Sequence, residues 1–358
     1  MAAAGGDWMD RTKDSLIPKD AIDWKQKARD LGDRVHRLHR SVLDKDLLRG
    51  LLPVRARTLP HRSSRPDARE RERRLIEASR AYAGALEDAT PWGGQTRAVT
   101  LDGLTWWVPL TRPGDPVHVE RSLRHQDFPY RALTQTRDLG IGGGMIDIGG
   151  NVGRMSIPRV ILGDVAYAYC AEPDPLNYTC LVRNVRDNHL RGLVLPDRVA
   201  LGSVDGTVRL ERARSAGGHR VVDPGARTRL ETIEVPSLRL DSWVARLGID
   251  LQQVTFVKMD AQGSEVHILR GAPGVLAHRH IAWEIEVDPQ LLRARGVALK
   301  ELFILLQQHF THFVDLNRTA AGERVRRTTD LPSALAYLSE GGEERTDVLV
   351  CTLAPVDR

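Results

Sequence analysis

A glycine-rich turn after a short apolar run constrains the fold of this chain more than any other feature. Residues 145–148 (Met-Ile-Asp-Ile) run into a segment, 149–153, that holds three glycines and an asparagine, and a helix is predicted over 154–162. Glycine permits a tight turn and lets the backbone approach a ligand closely. The start of the following helix offers unpaired N–H groups. The pattern therefore predicts a strand, a ligand-binding turn and a helix in succession.

Two acidic residues frame this turn. Asp147 precedes the first glycine, and Glu172 follows the last one at the spacing that places a ribose-binding carboxylate in Rossmann-type folds. An acid at 147 would repel the pyrophosphate of a dinucleotide, and the turn lacks the G-x-G-x-x-G spacing of a nicotinamide site. The acid suits S-adenosylmethionine, because that cofactor carries an ammonium and a sulfonium group. A nicotinamide-dependent oxidoreductase is therefore a weaker alternative.

Four motifs follow one another along the chain: D-I-G-G-N-V-G at 147–153, A-E-P-D-P at 171–175, L-V-R-N-V-R-D-N at 181–188 and K-M-D-A-Q-G-S-E at 258–265. This ordered set resembles the FkbM family of S-adenosylmethionine-dependent methyltransferases, over roughly residues 98–318. The resemblance implies a class I methyltransferase fold and, most often, O-methylation of a hydroxyl group on a sugar or natural product. The family usually has Ala where Gly150 stands and Glu where Gln262 stands, and the second exchange removes a charge.

Strand and helix patterns alternate from residue 145 onward, which predicts a mostly parallel sheet with helices on both faces. With the resemblance, the expected fold is α/β, a Rossmann-like class I methyltransferase with a seven-stranded sheet. A small β hairpin at 98–110 precedes this sheet, and extra β structure at 207–210 and 232–235 forms an insertion. The strands of the main sheet are predicted at 145–148, 165–171, 193–200, 255–259, 280–286, 313–316 and 348–352, and a second helix at 175–184.

The chain is predicted to divide into a helical, charge-rich appendage and linker at 1–95 and a methyltransferase domain at 96–358. Residues 55–74 are rich in arginine and are interpreted as a solvated linker more readily than as a nucleic-acid tail. The net charge of +5 is spread along the chain. This mild excess is weak evidence for nucleic-acid binding and suits an acidic substrate equally well.

The sequence also indicates which cellular compartment and which metal sites are expected. The sequence has no run of about 18 apolar residues, which predicts no membrane span. Its first residues lack the basic and apolar regions of a secretory signal. The three cysteines form no C-x-x-C pair, so a disulfide framework or a structural zinc site is not expected. A cytoplasmic protein without a bound metal is predicted.

Ligands of open α/β sheets lie outside the carboxyl ends of the strands, and this rule selects the candidate cofactor-binding residues. Glu172 is expected to accept hydrogen bonds from both ribose hydroxyls. The structural interpretation of Ala200, in place of cofactor binding, is an ordinary residue at a strand end. For Lys258 and Asp260 it is a salt bridge that fixes the loop. The candidate cofactor-binding residues are Asp147, Gly149, Asn151, Gly153, Glu172, Pro173, Ala200 and Asp260.

Three acids are candidates for catalysis. Asp260 follows a predicted buried strand and should lie near the methyl donor or the acceptor hydroxyl. Glu284 and Glu286 are two residues apart in the next strand, so their side chains face the same way, and one of them could contact the acceptor. Several histidines are alternatives, but no sequence context distinguishes one of them.

The function predicted from these residues is S-adenosylmethionine-dependent O-methylation of a hydroxyl on a sugar, glycan or natural-product intermediate. RNA ribose methylation and non-catalytic S-adenosylmethionine binding are the alternatives. A nucleic-acid amino-methyltransferase would carry Asn/Asp-Pro-Pro-aromatic after the fourth strand, whereas Asp260 is followed by Ala-Gln-Gly. A nucleic-acid partner is therefore not expected. The sequence predicts neither the acceptor molecule nor the oligomeric state.

Overall fold

The computed structural model describes residues 96–101, 104–110, 142–213, 215–317, 325–338 and 344–352. The predicted appendage at 1–95 lies outside these residues, and the division of the chain at 95/96 stays a prediction. Among the described residues, no helix combines the length and the apolar composition that a bilayer crossing requires.

Fourteen strands are described, and every predicted strand overlaps at least one of them, with shifted ends. The strands are β1 (Thr96–Leu101), β2 (Leu104–Pro109), β3 (Gly144–Ile148), β4 (Tyr167–Ala171), β5 (Val194–Asp197), β6 (Ala200–Gly202), β7 (Gly206–Glu211), β8 (Arg220–Val222), β9 (Thr232–Arg239), β10 (Val254–Met259), β11 (Ala282–Val287), β12 (His312–Asp315), β13 (Arg326–Arg327) and β14 (Thr346–Cys351).

The helices alternate with the strands of the main sheet. Several end at a glycine in the left-handed conformation, such as Gly163 after the first helix and Gly248 after the third. The helices are α1 (Ser156–Leu162), α2 (Pro175–Asp187), α3 (Leu240–Leu247), α4 (Glu265–Arg270), α5 (Pro273–Leu276), α6 (Pro289–Ala294), α7 (Leu299–His309) and α8 (Leu331–Ala334), with a 3-10 turn at Thr328–Asp330.

The main sheet has the order β13-β12-β14-β11-β10-β3-β4-β5. Strands β5, β4, β3, β10 and β11 are parallel neighbours, while β14 runs antiparallel between β11 and β12. The predicted class I methyltransferase fold with a mostly parallel sheet is confirmed. The sheet has eight strands rather than seven, because the two-residue strand β13 pairs with β12 at the edge.

Both faces of the sheet are covered by helices, as predicted. Successive side chains of a strand point to opposite faces. Met145 of β3 packs in one buried cluster with Ile157 of α1 and Leu181 of α2. The next residue, Ile146, packs in a second cluster with Trp243 of α3 and residues of α4 and α7. The sheet therefore separates two hydrophobic cores.

The single strand predicted at 193–200 is wrong. The chain forms β5, which ends the main sheet beside β4, and then β6, which pairs with β9 in a separate sheet. Pro196 lies within β5 and lacks a backbone N–H, which restricts this strand to a sheet edge. The chain leaves that edge after Asp197, whose carboxylate accepts a hydrogen bond of 2.6 Å from the Trp243 indole.

The predicted insertion forms a four-stranded sheet of order β6-β9-β7-β8 between β5 and α3. The connection from β7 to β8 contains a turn at Gly217 and Gly218, where the Gly218 N–H donates to the Ser215 carbonyl over 3.0 Å. The predicted hairpin is also present, as antiparallel β1 and β2, and β2 packs against α2.

Candidate functional site

A cavity of about 490 Å³ lies at the carboxyl ends of β3, β4 and β10. This volume is in the range of small-molecule binding sites. Its lining draws on the glycine turn, the loops after β4 and β10, the insertion and the start of β14. Of the predicted site residues, the lining includes Asp147, Gly149, Asn151, Glu172, Pro173, Ala200, Asp260 and Glu286, whereas Gly153 and Glu284 lie outside it.

The turn after β3 requires glycine for close approach of two backbone segments. Gly149 has φ of 80°, and a Cβ atom there would overlap the carbonyl oxygen of Asp260. The N–H groups of Gly149 and Gly150 both donate to the Ala171 carbonyl over 3.0 Å. These bonds fix the turn between the ends of β4 and β10, so the peptide groups of three neighbouring strands meet at the cavity.

Gly153 serves the packing of α1 instead of lining the cavity. Its φ of 88° favours glycine, and a Cβ atom there would lie 2.7 Å from Ile157 Cδ1 and 2.8 Å from Leu181 Cδ1. The structure therefore places this predicted ligand residue beneath the turn, where its small size lets α1 and α2 close together.

Asp147 is a buried acid with free hydrogen-bonding capacity at the cavity. Its residue is 1% exposed, and its Oδ2 atom has no hydrogen-bond partner among the described residues. Burial raises the pKa of Asp147 to about 6, although the neighbouring Lys258 on β10 opposes this shift. A buried carboxylate without a partner is unfavourable. A cationic ligand in the cavity would supply the missing interaction.

Glu172 is held in place by two backbone groups. Its Oε2 accepts from the Asn151 N–H over 2.8 Å, and its Oε1 accepts from the Asp174 N–H over 2.9 Å. Burial, together with the Asp174 charge, raises the pKa of Glu172 to about 8. Near neutral pH such a carboxyl group offers a ligand one O–H donor as well as acceptor lone pairs. This fixed group can bind a pair of hydroxyls in the cavity.

Apolar surface lies beside Glu172. Pro173 and Ala200 line the cavity there, as predicted, and the insertion adds Leu210 and Val221. Flat aromatic groups bind to surfaces of this kind, with polar groups at their edges. The cavity thus joins an apolar wall, a diol-binding acid and an acid for a cation. This combination fits an adenosine linked to a positively charged chain.

The opposite end of the cavity holds a network of charged side chains. The Lys258 ammonium is buried, 3.7 Å from Asp260 Oδ2 and 3.5 Å from Asp347 Oδ1. The Gln262 amide donates to Asp260 Oδ1 over 2.8 Å and to Glu286 Oε2 over 3.1 Å. One amide therefore bridges two of the three predicted catalytic acids, Asp260 and Glu286.

The pKa values of the two bridged acids are shifted in opposite directions. Burial opposes ionisation of Asp260, but Lys258 and the Gln262 amide bring the pKa of Asp260 below its usual value. Burial and the Asp260 charge raise the pKa of Glu286 well above its usual value. Asp260 therefore loses its proton at a lower pH than Glu286 does, so Asp260 is the acceptor of the pair.

Glu284 is placed away from this network. Its Oε2 accepts from Arg159 Nη2 over 2.8 Å, and both side chains are fully buried. Arg159 also pairs with Asp164 at 3.3 Å and lies over the Phe256 ring. The sequence prediction that Glu284 contacts the acceptor therefore has no support in the geometry, because α1 covers this part of β11.

Sequence reasoning missed the contribution of β14 to the cavity. Asp347 and Arg345 line it, and Arg345 Nη1 lies 3.3 Å from Glu286 Oε1. The rule that ligands bind at carboxyl ends holds for parallel strands. Because β14 is antiparallel, its amino end reaches the same edge. The acidic and basic residues just before the predicted last strand were the available signal.

A family model described as Methyltransferase FkbM domain matches residues 147–318. The match spans the glycine turn, the acid after β4 and the charged network after β10. It confirms the resemblance found in the sequence motifs. No curated protein sequence matches this chain.

Solved structures of methyltransferases are similar to this chain at low identity. A methyltransferase FkbM from Methylobacillus flagellatus KT is 14% identical with a TM-score of 0.32, over 64% of this chain and 57% of that protein. The tRNA methyltransferase TrmK from B. subtilis is 10% identical (TM-score 0.32, covering 63% and 65%). TYW2 from M. jannaschii, solved with AdoMet, is 10% identical (TM-score 0.34, covering 72% and 84%). The chain thus spans less than two thirds of the first two proteins.

Proposed function

We propose that this protein methylates a hydroxyl oxygen on a sugar, glycan or natural-product intermediate, with S-adenosylmethionine, the cofactor of the FkbM methyltransferase family that residues 147–318 match, as the methyl donor. The observation that carries the proposal is one cavity lined by Asp147 and Glu172 at the cofactor end and by the bridged pair Asp260 and Glu286 at the other.

The cofactor fits the residues that line this cavity. Asp147 would hold the ammonium group, because its Oδ2 is buried and has no hydrogen-bond partner among the described residues. Glu172 would bind the two ribose hydroxyls, and Pro173 and Ala200 would contact the adenine ring. The glycine turn lets the backbone pass close to the bound molecule, since a side chain at Gly149 would overlap Asp260.

The bound cofactor supplies an activated methyl group, so the protein mainly aligns the acceptor and removes a proton. Holding both reactants in line supplies about 7–11 kcal/mol of barrier reduction at best. Asp260, ionised beside Lys258, accepts the hydroxyl proton, which accounts for a factor of about 10²–10⁴. Gln262 keeps Asp260 beside Glu286, and Glu286 donates a hydrogen bond to a neighbouring oxygen of the acceptor.

The acceptor end argues against RNA ribose methylation. Asp260, Glu286 and Asp347 line it together with Lys258 and Arg345. Phosphate groups bind to surfaces with a clear excess of arginine and lysine. An uncharged polyhydroxyl acceptor suits this balanced set of charges better.

The test is methyl transfer by the full chain from methyl-labelled S-adenosylmethionine to a panel of sugars, glycans and hydroxylated natural products. We expect label in an alkali-stable methyl ether, detected by mass spectrometry, and product formation slowed by a factor of about 10²–10⁴ with the Asp260→Asn variant. Label in a methylamine or a base-labile ester would contradict O-methylation of a hydroxyl. Transfer to RNA alone would support the alternative acceptor.

A further inference from the structure

A segment of the insertion forms a wall of the cavity and brings a histidine into it. Residues 215–219 join β7 to β8 and line the cavity, although they lie far in sequence from the glycine turn. The Ala216 carbonyl accepts from Asn151 Nδ2 over 3.1 Å and from Asn177 Nδ2 over 2.8 Å. The wall is therefore fastened both to the turn and to α2.

His219 is buried in this wall with unused polar atoms. Its side chain is 5% exposed, and neither ring nitrogen has a hydrogen-bond partner among the described residues. Burial lowers the pKa of His219, so the ring is neutral and offers one donor and one acceptor. Buried polar groups without partners are rare in folded proteins, and each one calls for an explanation.

The nearest charged neighbour does not satisfy this ring. His219 Nε2 lies 3.7 Å from Asp174 Oδ2, which is too long for a hydrogen bond. That oxygen already accepts from Arg212 Nε over 2.8 Å. The other oxygen of Asp174 caps α2 by accepting from the N–H groups of Leu176 and Asn177. The missing partner of His219 is therefore expected in the cavity.

The position of His219 identifies the part of the ligand that it faces. Asp174 links His219 to Glu172. Its N–H donates to Glu172 Oε1, and its carboxylate lies beside the His219 ring. Glu172 follows β4, whereas the methyl-transfer end of the cavity is built on β10 and β14. His219 thus lies on the ribose and adenine side, where a ligand offers ring nitrogens, an amino group and hydroxyls.

We infer that His219 hydrogen-bonds the adenosine half of S-adenosylmethionine and sets the affinity for it. The inference rests on the proposed function, since it takes that cofactor as the ligand. It assigns the insertion a role in cofactor recognition, and the family motifs do not include this segment.

The test is calorimetric titration of the full chain with S-adenosylhomocysteine and with 5′-methylthioadenosine, which lacks the amino-acid part. We expect His219→Ala and His219→Phe to weaken both ligands by about tenfold, the effect of losing one hydrogen bond. His219→Gln should restore part of the affinity, because its amide can donate and accept. His278→Ala, outside the cavity, is the control, and circular dichroism checks the fold of each variant.

Affinities of folded His219 variants within twofold of the wild type would overturn the inference, with the proposed function intact. A loss confined to S-adenosylhomocysteine would overturn it as well, because the contact would then involve the amino-acid part. If the wild-type protein binds neither compound, the proposed function fails together with this inference.

Discussion

At the scale of single residues, Asp260, which follows β10, and Glu284, which lies on the neighbouring strand β11, are both acids, but their surroundings differ. Asp260 lines the cavity and contacts Gln262, whereas Glu284 is fully buried against Arg159. We expect Asp260→Asn to lower kcat by about 10²–10⁴. Its affinity for S-adenosylhomocysteine should stay within a few-fold of the wild type, which calorimetry measures in parallel.

Glu284→Gln is the matched variant, and it should affect folding instead of turnover. The substitution leaves the Arg159 charge without its closest carboxylate, so we expect a loss of about 1–3 kcal/mol in the free energy of unfolding. Urea unfolding measures this loss. Reduced turnover by folded Glu284→Gln together with full activity of Asp260→Asn would reverse the two assignments.

The exchange at Gln262, where the family usually has Glu, is explained by its contacts. Gln262 adopts φ of 51°, and its amide donates to both Asp260 and Glu286. A glutamate there would place a third carboxylate between two others and raise their pKa values. The departure from the family pattern identifies Gln262 in the sequence. Its role becomes clear only in the fold, which brings the ends of β10 and β11 together.

At the scale of elements, α2 binds β2 through asparagines one helical turn apart. Asn184 accepts from the Trp107 N–H over 2.5 Å and donates to the Val152 carbonyl over 2.8 Å. Asn188 accepts from the Thr105 N–H over 2.9 Å and donates to its carbonyl over 2.7 Å. This spacing explains the two asparagines of the 181–188 motif. They replace a missing strand at the edge of β2.

Asn184→Ala should therefore loosen the hairpin and the turn. Removing the Asn184 amide leaves buried backbone groups of β2 and of Val152 without partners. We expect this to lower the free energy of unfolding by about 1–3 kcal/mol. Urea unfolding should show this loss, and Gln252→Ala, on an exposed turn, should show almost none. Equal stability of Asn184→Ala and the wild type would contradict this view of the α2–β2 contact.

At the scale of the whole molecule, the stability of the ligand-free protein should depend on the protonation of its buried acids. The pKa of Asp147 is about 6 in the folded state against a usual value of 3.8. Folded protein then binds a proton that unfolded protein releases, so this acid reduces stability as pH rises from about 4 to 6. Asp147→Asn should be about 1–3 kcal/mol more stable at pH 8.

Comparing the two proteins at each pH removes the contributions of the histidines, which are the same in both. The stability difference measured by thermal or urea unfolding should be near zero below pH 4, rise through pH 6 and stay constant above it. A difference that does not change with pH would show that Asp147 carries no raised pKa. The same variant should bind S-adenosylhomocysteine more weakly.

The sequence predicts the main sheet well because its strands are buried and separated by clear turns. The glycine turn and Glu172 identify the cofactor end, since their spacing reflects one β-α-β unit. The wall at 215–219 and Asp347 were not predictable in the same way. They reach the cavity through an insertion and an antiparallel strand, and these contacts join residues that are distant along the chain.

The proposed function requires that the cavity binds S-adenosylmethionine or its demethylated product. Calorimetric titration of the full chain with S-adenosylhomocysteine measures this binding directly. We predict saturable binding, and a loss of at least about tenfold for Glu172→Ala, because the hydrogen bonds of this carboxyl group to the ribose are removed. Absence of binding to folded wild-type protein, or equal affinity of the Glu172→Ala variant, would contradict the assignment of this cavity.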